Sequence, residues 1–201
     1  MAREPIGGSR TIQTVTTDDA QDWAMARAGD GEAFGRIFDR HRDRIFRHGL
    51  RLVTGVADVD DVVAITFLEA WRRRDDVRLV DESVLPWLLV TATNTAHNLR
   101  RSARRHRALL AKLSPEEHTP DHSSTFEDGE ALAALRQLSL ADQRVVTLSV
   151  LEGFSERESA EVLGVPAGTV KSRLSRARAR LAAVVPRPSY SPGSLEEEAH
   201  G

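Results

Sequence analysis

The chain contains no cysteine in its 201 residues. That excludes disulfide bridges, thiolate zinc sites and cysteine nucleophiles, and it rules out a small secreted scaffold stapled by disulfides. No apolar run approaches the roughly 20 residues that a membrane-spanning helix needs. The segment from Met1 to Thr17 carries polar residues where a secretory signal would have its apolar stretch, so a cytoplasmic chain without membrane insertion is expected. A strong excess of either charge is also missing, the formal net charge being −2. Lysine is nearly absent, but a GC-rich genome produces an arginine bias as readily as selection for bidentate phosphate contacts does.

What is present is segregation of charge. Arg100, Arg101, Arg104, Arg105, Arg107 and Lys112 form one basic block, and Lys171, Arg173, Arg176, Arg178, Arg180 and Arg187 form another. Between them, from Ser114 to Glu130, every formally charged residue is negative: Glu116, Glu117, Asp121, Glu127, Asp128 and Glu130. The near-neutral total is therefore a cancellation of strong local fields.

Residues 1–18 and 186–201 are rich in Gly, Ser, Thr and Pro without hydrophobic periodicity and read as unstructured tails. Helical spacing begins near Asp22 and continues through Phe34, Ile37, Phe38, Ile45, Phe46, Leu50 and Leu52, then Val62, Val63, Phe67, Leu68 and Trp71. A third pattern follows Pro86 through Leu88, Leu89, Ala92, Ala96 and Leu99, and Val77 to Val80 is the sole short candidate strand. Residues 111–129, with Pro115 and Pro120, read as a flexible acidic linker. The expected architecture is all-α, with a helical domain over 19–110 and a second over 130–185. Helices are predicted in the second domain at 130–138, 141–151, 155–163 and 166–184.

The most specific local signal is SERESAEVLGVPAGTVKSRLSRARARL, which begins at Ser155. Ser155 followed by Glu158 is a capping box for a helix start. Gly164 permits the sharp turn, and Pro166 suits the first turn of the next helix because it has no N–H to waste. This is helix-turn-helix grammar. At about 100° per residue, Val170, Leu174, Ala177 and Leu181 fall on one side and pack inward. Thr169, Ser172, Ser175 and Arg176 point outward toward base edges, flanked by Lys171, Arg173, Arg178 and Arg180 for phosphates. The bland alternative is an amphipathic surface helix with a solvated charged face.

On the segment from Trp87 to Arg105, the face opposite the apolar one carries Asn94, Asn98, Arg101 and Arg105, with Trp87 and Thr91 nearby. Amides beside guanidinium groups suit unpaired bases and their phosphates. A polar surface with Trp87 packed on a neighbouring helix is the structural alternative.

The stretches GDGEAFGRIFDRHRDRIFRHGLRLVTG (29–55), DVDDVVAITFLEAWRR (58–73) and LPWLLVTATNTAHNLRR (85–101) resemble successive motifs of the second domain of sigma factors. The helix-turn-helix resembles their fourth domain. Their order over residues 20–185 resembles the extracytoplasmic-function subgroup of the sigma-70 family. The resemblance implies a σ2-like bundle and a σ4-like domain in a noncatalytic initiation subunit. The partners it implies are core RNA polymerase, through its largest catalytic subunits and flap region, promoter DNA, and an anti-sigma factor. No cofactor is implied. Asp58, Asp60, Asp61, Val62, Phe67 and Trp71 are similar to the helix that docks on the polymerase clamp. Trp87, Thr91, Asn94, Asn98, Arg101 and Arg105 are similar to the part that opens and reads the −10 element. Thr169, Lys171, Ser172, Arg173, Ser175, Arg176 and Arg180 lie in the stretch similar to the −35 reading helix. The chain departs from the family where Ala64-Ile65 replaces a polar pair, and where Asn98 stands at a position often occupied by Asp. The acidic linker is expected to thread a basic channel of polymerase by mimicking nucleic acid.

Two other functions remain open on sequence alone. Asp58, Asp60 and Asp61 resemble metal ligands of a nuclease, but no histidine at ligand spacing accompanies them. His41, His48, His97, His106, His118 and His122 lack metal-site spacing as well. A stand-alone helix-turn-helix regulator would need a sensor pocket or a dimer interface.

Overall fold

The computed structural model describes residues 13–113 and 129–184, and the linker expected over 111–129 lies mostly outside them. All described secondary structure is helical. The order is α1 (Gln13–Arg27), α2 (Gly31–Leu52), α3 (Val56–Arg72), α4 (Leu85–Leu113), α5 (Glu130–Gln137), α6 (Leu140–Val146), α7 (Glu156–Leu163) and α8 (Ala167–Val184). A π-helical turn, Thr147–Leu151, continues α6.

Asp30 starts α2 because its carboxylate accepts from the amides of Glu32 and Ala33 at 2.9 and 3.1 Å. The inward positions of α2 (Ile37, Ile45, Leu52) meet Val59 and Val62 of α3 and Leu88, Leu89, Ala92 and Ala96 of α4, all with 0% exposure. A Cβ on Gly49 would lie 3.0 Å from a Val59 side-chain methyl, so α2 and α3 approach more closely there than a larger residue allows. Trp23, Phe34, Phe38, Phe67 and Trp71 fill one end of the bundle, with Phe38 and Phe67 edge to face at 4.8 Å.

A buried polar knot fixes α1. Asp19, fully buried, accepts from Arg40 at 2.6 Å and from Ser83 Oγ at 2.8 Å, and it contacts the His41 imidazole at 2.8 Å. Burial pushes the Asp19 carboxyl up, but His41, Ser83 and Arg40 outweigh it, so its pKa is lowered.

Two expectations are corrected here. The unstructured tail does not reach residue 18, because α1 begins at Gln13. No strand forms at Val77 to Val80; Val80 makes only an isolated bridge to Ser83 around a turn with positive φ at Asp81 and Glu82. With no strand alongside, Val77 and Val80 are instead buried, at 7% and 2% exposure.

In the second half, Ser155 and Glu158 form the capping box reciprocally: Ser155 N donates to Glu158 at 2.6 Å and Glu158 N to Ser155 Oγ at 3.2 Å. Gly164 closes α7 in the left-handed region (φ 63°, ψ 35°). Val145, Ala160, Val170 and Leu174 pack where α6, α7 and α8 meet. Leu135, Leu138, Val146, Leu148 and Ala177 join the larger core of the first half, so one apolar cluster runs through both halves.

Candidate nucleic-acid interface

The six residues proposed for α3 divide by face. Asp58, Asp60 and Asp61 are exposed. Val62 (0% exposed) and Phe67 (4%) point into the core and cannot be offered to a partner without unfolding. The apolar positions 59, 62, 63, 66, 67 and 70 form a single inward stripe. Trp71 is half-buried, with its ring 5.1 Å from that of Phe34 and the Arg74 guanidinium 4.7 Å above it. Sequence reasoning missed Ile65 and Leu68, which are 36% and 53% exposed on the outer face. Their position on the wheel opposite Val59 was the available signal.

Four of the six residues proposed on α4 converge. Trp87, Thr91, Asn94 and Asn98 line one cleft of about 380 Å³, together with Thr95, with Ile65 and Glu69 of α3 and with Arg73 at that helix's C-terminal cap. Its wall is aromatic and aliphatic, and it presents amide, hydroxyl, carboxylate and guanidinium groups. Arg101 and Arg105 extend the exposed side of the helix beyond it. Asn94, however, is already engaged: its side-chain oxygen accepts from Arg144 Nε of α6 at 2.6 Å. Nothing in the local spacing of α4 announces that contact.

Arg100, counted in the basic block, is structural. It donates to the Leu52 carbonyl at 3.2 Å and to the Gln143 side chain at 3.3 Å. Burial, with Arg104 and Arg136 nearby, pushes its pKa down to about 10. Burial and the cations Arg100, Arg104, Arg101 and Arg144 likewise lower the pKa of His97. The charge on this side of α4 is therefore strongly positive.

On α8 the wheel holds. Val170, Leu174 and Ala177 are buried, whereas Lys171, Ser172, Ser175 and Arg176 are exposed and Thr169 and Arg173 half-buried. Ser172 Oγ donates to the Thr169 carbonyl at 3.0 Å, which leaves its lone pairs outward. Arg180 is tethered, donating to Asp142 at 3.0 Å. Its guanidinium, although exposed, is thereby held by the scaffold.

Among the described residues, no three His, Asp or Glu side chains come together in a metal-binding arrangement, and no helix is long and apolar enough to cross a membrane.

Comparison with known proteins covers both halves. The profile of Sigma-70 region 2 matches residues 37–106 and that of Sigma-70, region 4 matches residues 128–181. The chain is 33% identical over 181 residues to the RNA polymerase sigma factor NccH of Alcaligenes xylosoxydans xylosoxydans, spanning 84% of this chain and 97% of that one. It is 34% identical over 154 residues to the ECF RNA polymerase sigma factor SigL of Mycobacterium tuberculosis, spanning 74% and 86%. Among solved structures, CnrH in complex with the cytosolic domain of CnrY is similar with a TM-score of 0.58 and 30% identity, covering 83% of this chain and 96% of that one. The Bartonella quintana sigma factor RpoE, bound to the anti-sigma factor NepR, shares the fold at 24% identity and a TM-score of 0.50, covering 75% and 95%.

Proposed function

Because this chain belongs to the extracytoplasmic-function sigma factors of the sigma-70 family, we propose that its three helical faces divide the work of transcription initiation. Asp58, Asp60 and Asp61, with Trp71 at the other end of the same helix, dock on the clamp of core RNA polymerase. The cleft of Trp87, Thr91, Asn94 and Asn98 holds bases extruded from the −10 element, while Arg101 and Arg105 hold phosphates. Helix α8 reads the −35 element in the major groove through Thr169, Ser172, Ser175 and Arg176, with Lys171, Arg173 and Arg180 on the backbone. The observation that carries this reading is the pairing, in one chain, of a capped helix-turn-helix with a basic outer face and a second, separate cleft of amide and aromatic groups.

Opening the duplex in this scheme needs no bond chemistry. The cost of unstacking a base, a few kcal/mol, is offset by contacts to that base and its phosphates. The protein acts without a catalytic residue, a cofactor or membrane insertion, in the cytoplasm beside polymerase. A regulating anti-sigma protein is part of the proposal, by analogy with the partner-bound relatives.

Two promoter elements about two helical turns apart require readers separated by roughly 60–70 Å. The linker that has to bridge them lies mostly outside the described residues, and α4 stays helical to Leu113.

Run-off transcription with purified chain and core polymerase is the test. Promoter-specific transcripts that depend on the chain are the expected result. Tight operator binding without polymerase, and no initiation with it, would establish the stand-alone regulator instead. Replacing Glu116, Glu117, Asp121, Glu127 and Asp128 with serine checks the linker: reduced initiation is expected, and unchanged initiation removes its mimicry role.

A further inference from the structure

Charge is compensated unevenly around the junction of the two halves. Glu152, its side chain only 4% exposed, accepts from Arg44 and Arg51 at 2.6 and 3.4 Å, and Asp142 accepts from Arg180 at 3.0 Å. Where α4 meets α6 and α8, cations have neutral partners or none. Arg100 donates to the Leu52 carbonyl and to Gln143, and Arg144 donates to Asn94. Arg104 and Arg173 make no hydrogen bond or ion pair among the described residues. His97 Nδ1 and Arg100 Nε are buried without a hydrogen-bond partner.

These groups act on one another. His97 is the common neighbour of Arg100, Arg101 and Arg104 on its own helix and of Arg144 on α6, and Arg144 in turn faces Arg173 of α8. Burial and Arg173 lower the pKa of Arg144, as burial and its neighbours do for His97. Even Arg100, pushed down to about 10, keeps its proton at neutral pH. The repulsion is therefore permanent, and a bound anion offsets it.

The donors present select the kind of anion. Arg144 spends only Nε on Asn94, so its terminal nitrogens still offer a planar set of N–H groups. Phosphate oxygens match that geometry, and linked phosphates carry enough charge and length to meet more than one guanidinium. We propose that an oligophosphate, with two or more linked phosphate groups, binds between α4 and α8 on Arg104, Arg144 and Arg173, next to His97. The binding does not depend on the sigma-factor reading. Its consequence does: Arg173 cannot serve the −35 backbone while it holds the anion, so the ligand opposes promoter engagement.

The test is isothermal titration calorimetry of the full chain with sodium pyrophosphate at fixed ionic strength, without polymerase, DNA or divalent cation. One saturable site is expected, at least about tenfold tighter than for inorganic phosphate, because the second phosphate adds charge-assisted bonds. Arg144→Ala is expected to weaken pyrophosphate at least about tenfold, and Arg144→Lys less. Arg107→Ala, which removes an exposed cation of the same helix outside the cluster, leaves the affinity unchanged. Should Arg144→Ala lose helical circular dichroism, Arg104→Ala at an exposed position carries the same expectation. Imidazole titrations by nuclear magnetic resonance locate the site: pyrophosphate raises the His97 pKa by offsetting its cations and leaves that of the fully buried His48 in place.

Adenosine diphosphate is the second probe. Affinity equal to that of pyrophosphate assigns recognition to the phosphates, and markedly tighter binding assigns the ligand to nucleotides; both uphold the site. Binding that does not saturate, or equal losses in Arg144→Ala and Arg107→Ala, would overturn it in favour of general attraction to a basic face. So would pyrophosphate binding that appears only once Glu116, Glu117, Asp121, Glu127 and Asp128 are replaced with serine, which assigns the cluster to the chain's own carboxylates. Duplex carrying the −35 element is then added. Displacement by pyrophosphate that Arg144→Ala abolishes joins the site to initiation, and equal displacement in both chains removes that consequence.

Discussion

Helices α4 and α8 both carry an apolar stripe and an opposite face rich in arginine, yet the structure treats them differently. The outward side of α8 stands clear except where Arg180 pairs with Asp142. That of α4 is shared, with one flank forming a cleft against α3 and Asn94 bonded to α6. The difference lies in what anchors each helix. The orientation of α8 follows from signals a few residues away: the capping box at Ser155 and the left-handed turn at Gly164. That of α4 follows from partners 45 to 50 residues distant, His48 and Arg144.

If long-range contacts dominate the first half, its variants should fail globally. Asp19→Ala strands Arg40 and His41 without their buried carboxylate and is expected to cost about 3–5 kcal/mol, read as a lowered unfolding midpoint. The folded Asp19 carboxyl lies below its ordinary value of 3.8. Its contribution is therefore complete above that value and lost as pH falls through the lower, folded one.

Phe67→Ala is expected to cost about 3–5 kcal/mol through a cavity in the aromatic cluster. Asp61→Ala on the same helix should leave stability within about 0.5 kcal/mol while weakening polymerase binding. Equal destabilisation by the two would refute the division of α3 into a core face and a docking face.

His48 supplies a pH test. It is fully buried against Thr93, and burial, with Arg51 nearby, pushes its pKa from 6.5 down to about 3. The unfolded chain then binds a proton that the folded one refuses, so stability should fall as pH drops from 6.5 toward 3. The slope for one such group is up to about 1.4 kcal/mol per pH unit. Denaturant melts across that range check it, and an unchanged slope in His48→Gln would assign the effect elsewhere.

Smaller effects belong to the second half. Ser155→Ala removes one cap and is expected to cost about 1 kcal/mol. Lys171→Ala should scarcely change the unfolding midpoint, while reducing the salt dependence of −35 duplex binding by about one phosphate contact.

The legibility of the molecule follows the same contrast. The four helical stretches of the second half appear close to where spacing and caps placed them, α7 and α8 within a residue. The buried set Val170, Leu174 and Ala177 was readable from the wheel. In the first half the helices were legible, but α1 starts before the expected Asp22, since its segment from Gln13 has little apolar periodicity. Val62 and Phe67 carried motif weight in the sequence and core weight in the fold. Arg144 stood outside every motif, because its importance depends on Asn94, which lies far from it in sequence.

The sequence by itself determined an all-helical chain, two basic blocks around an acidic stretch, and a helix-turn-helix with its outward face assigned. Those follow from periodicity, capping and turn chemistry, which act over a few residues. Only the tertiary structure decided which residues of α3 remain available to a partner, that the α4 residues share a cleft with Ile65 and Glu69, and that Arg136, Glu152 and Arg144 close the halves together. Such contacts join side chains separated by tens of residues, and their geometry exists only once the helices have packed.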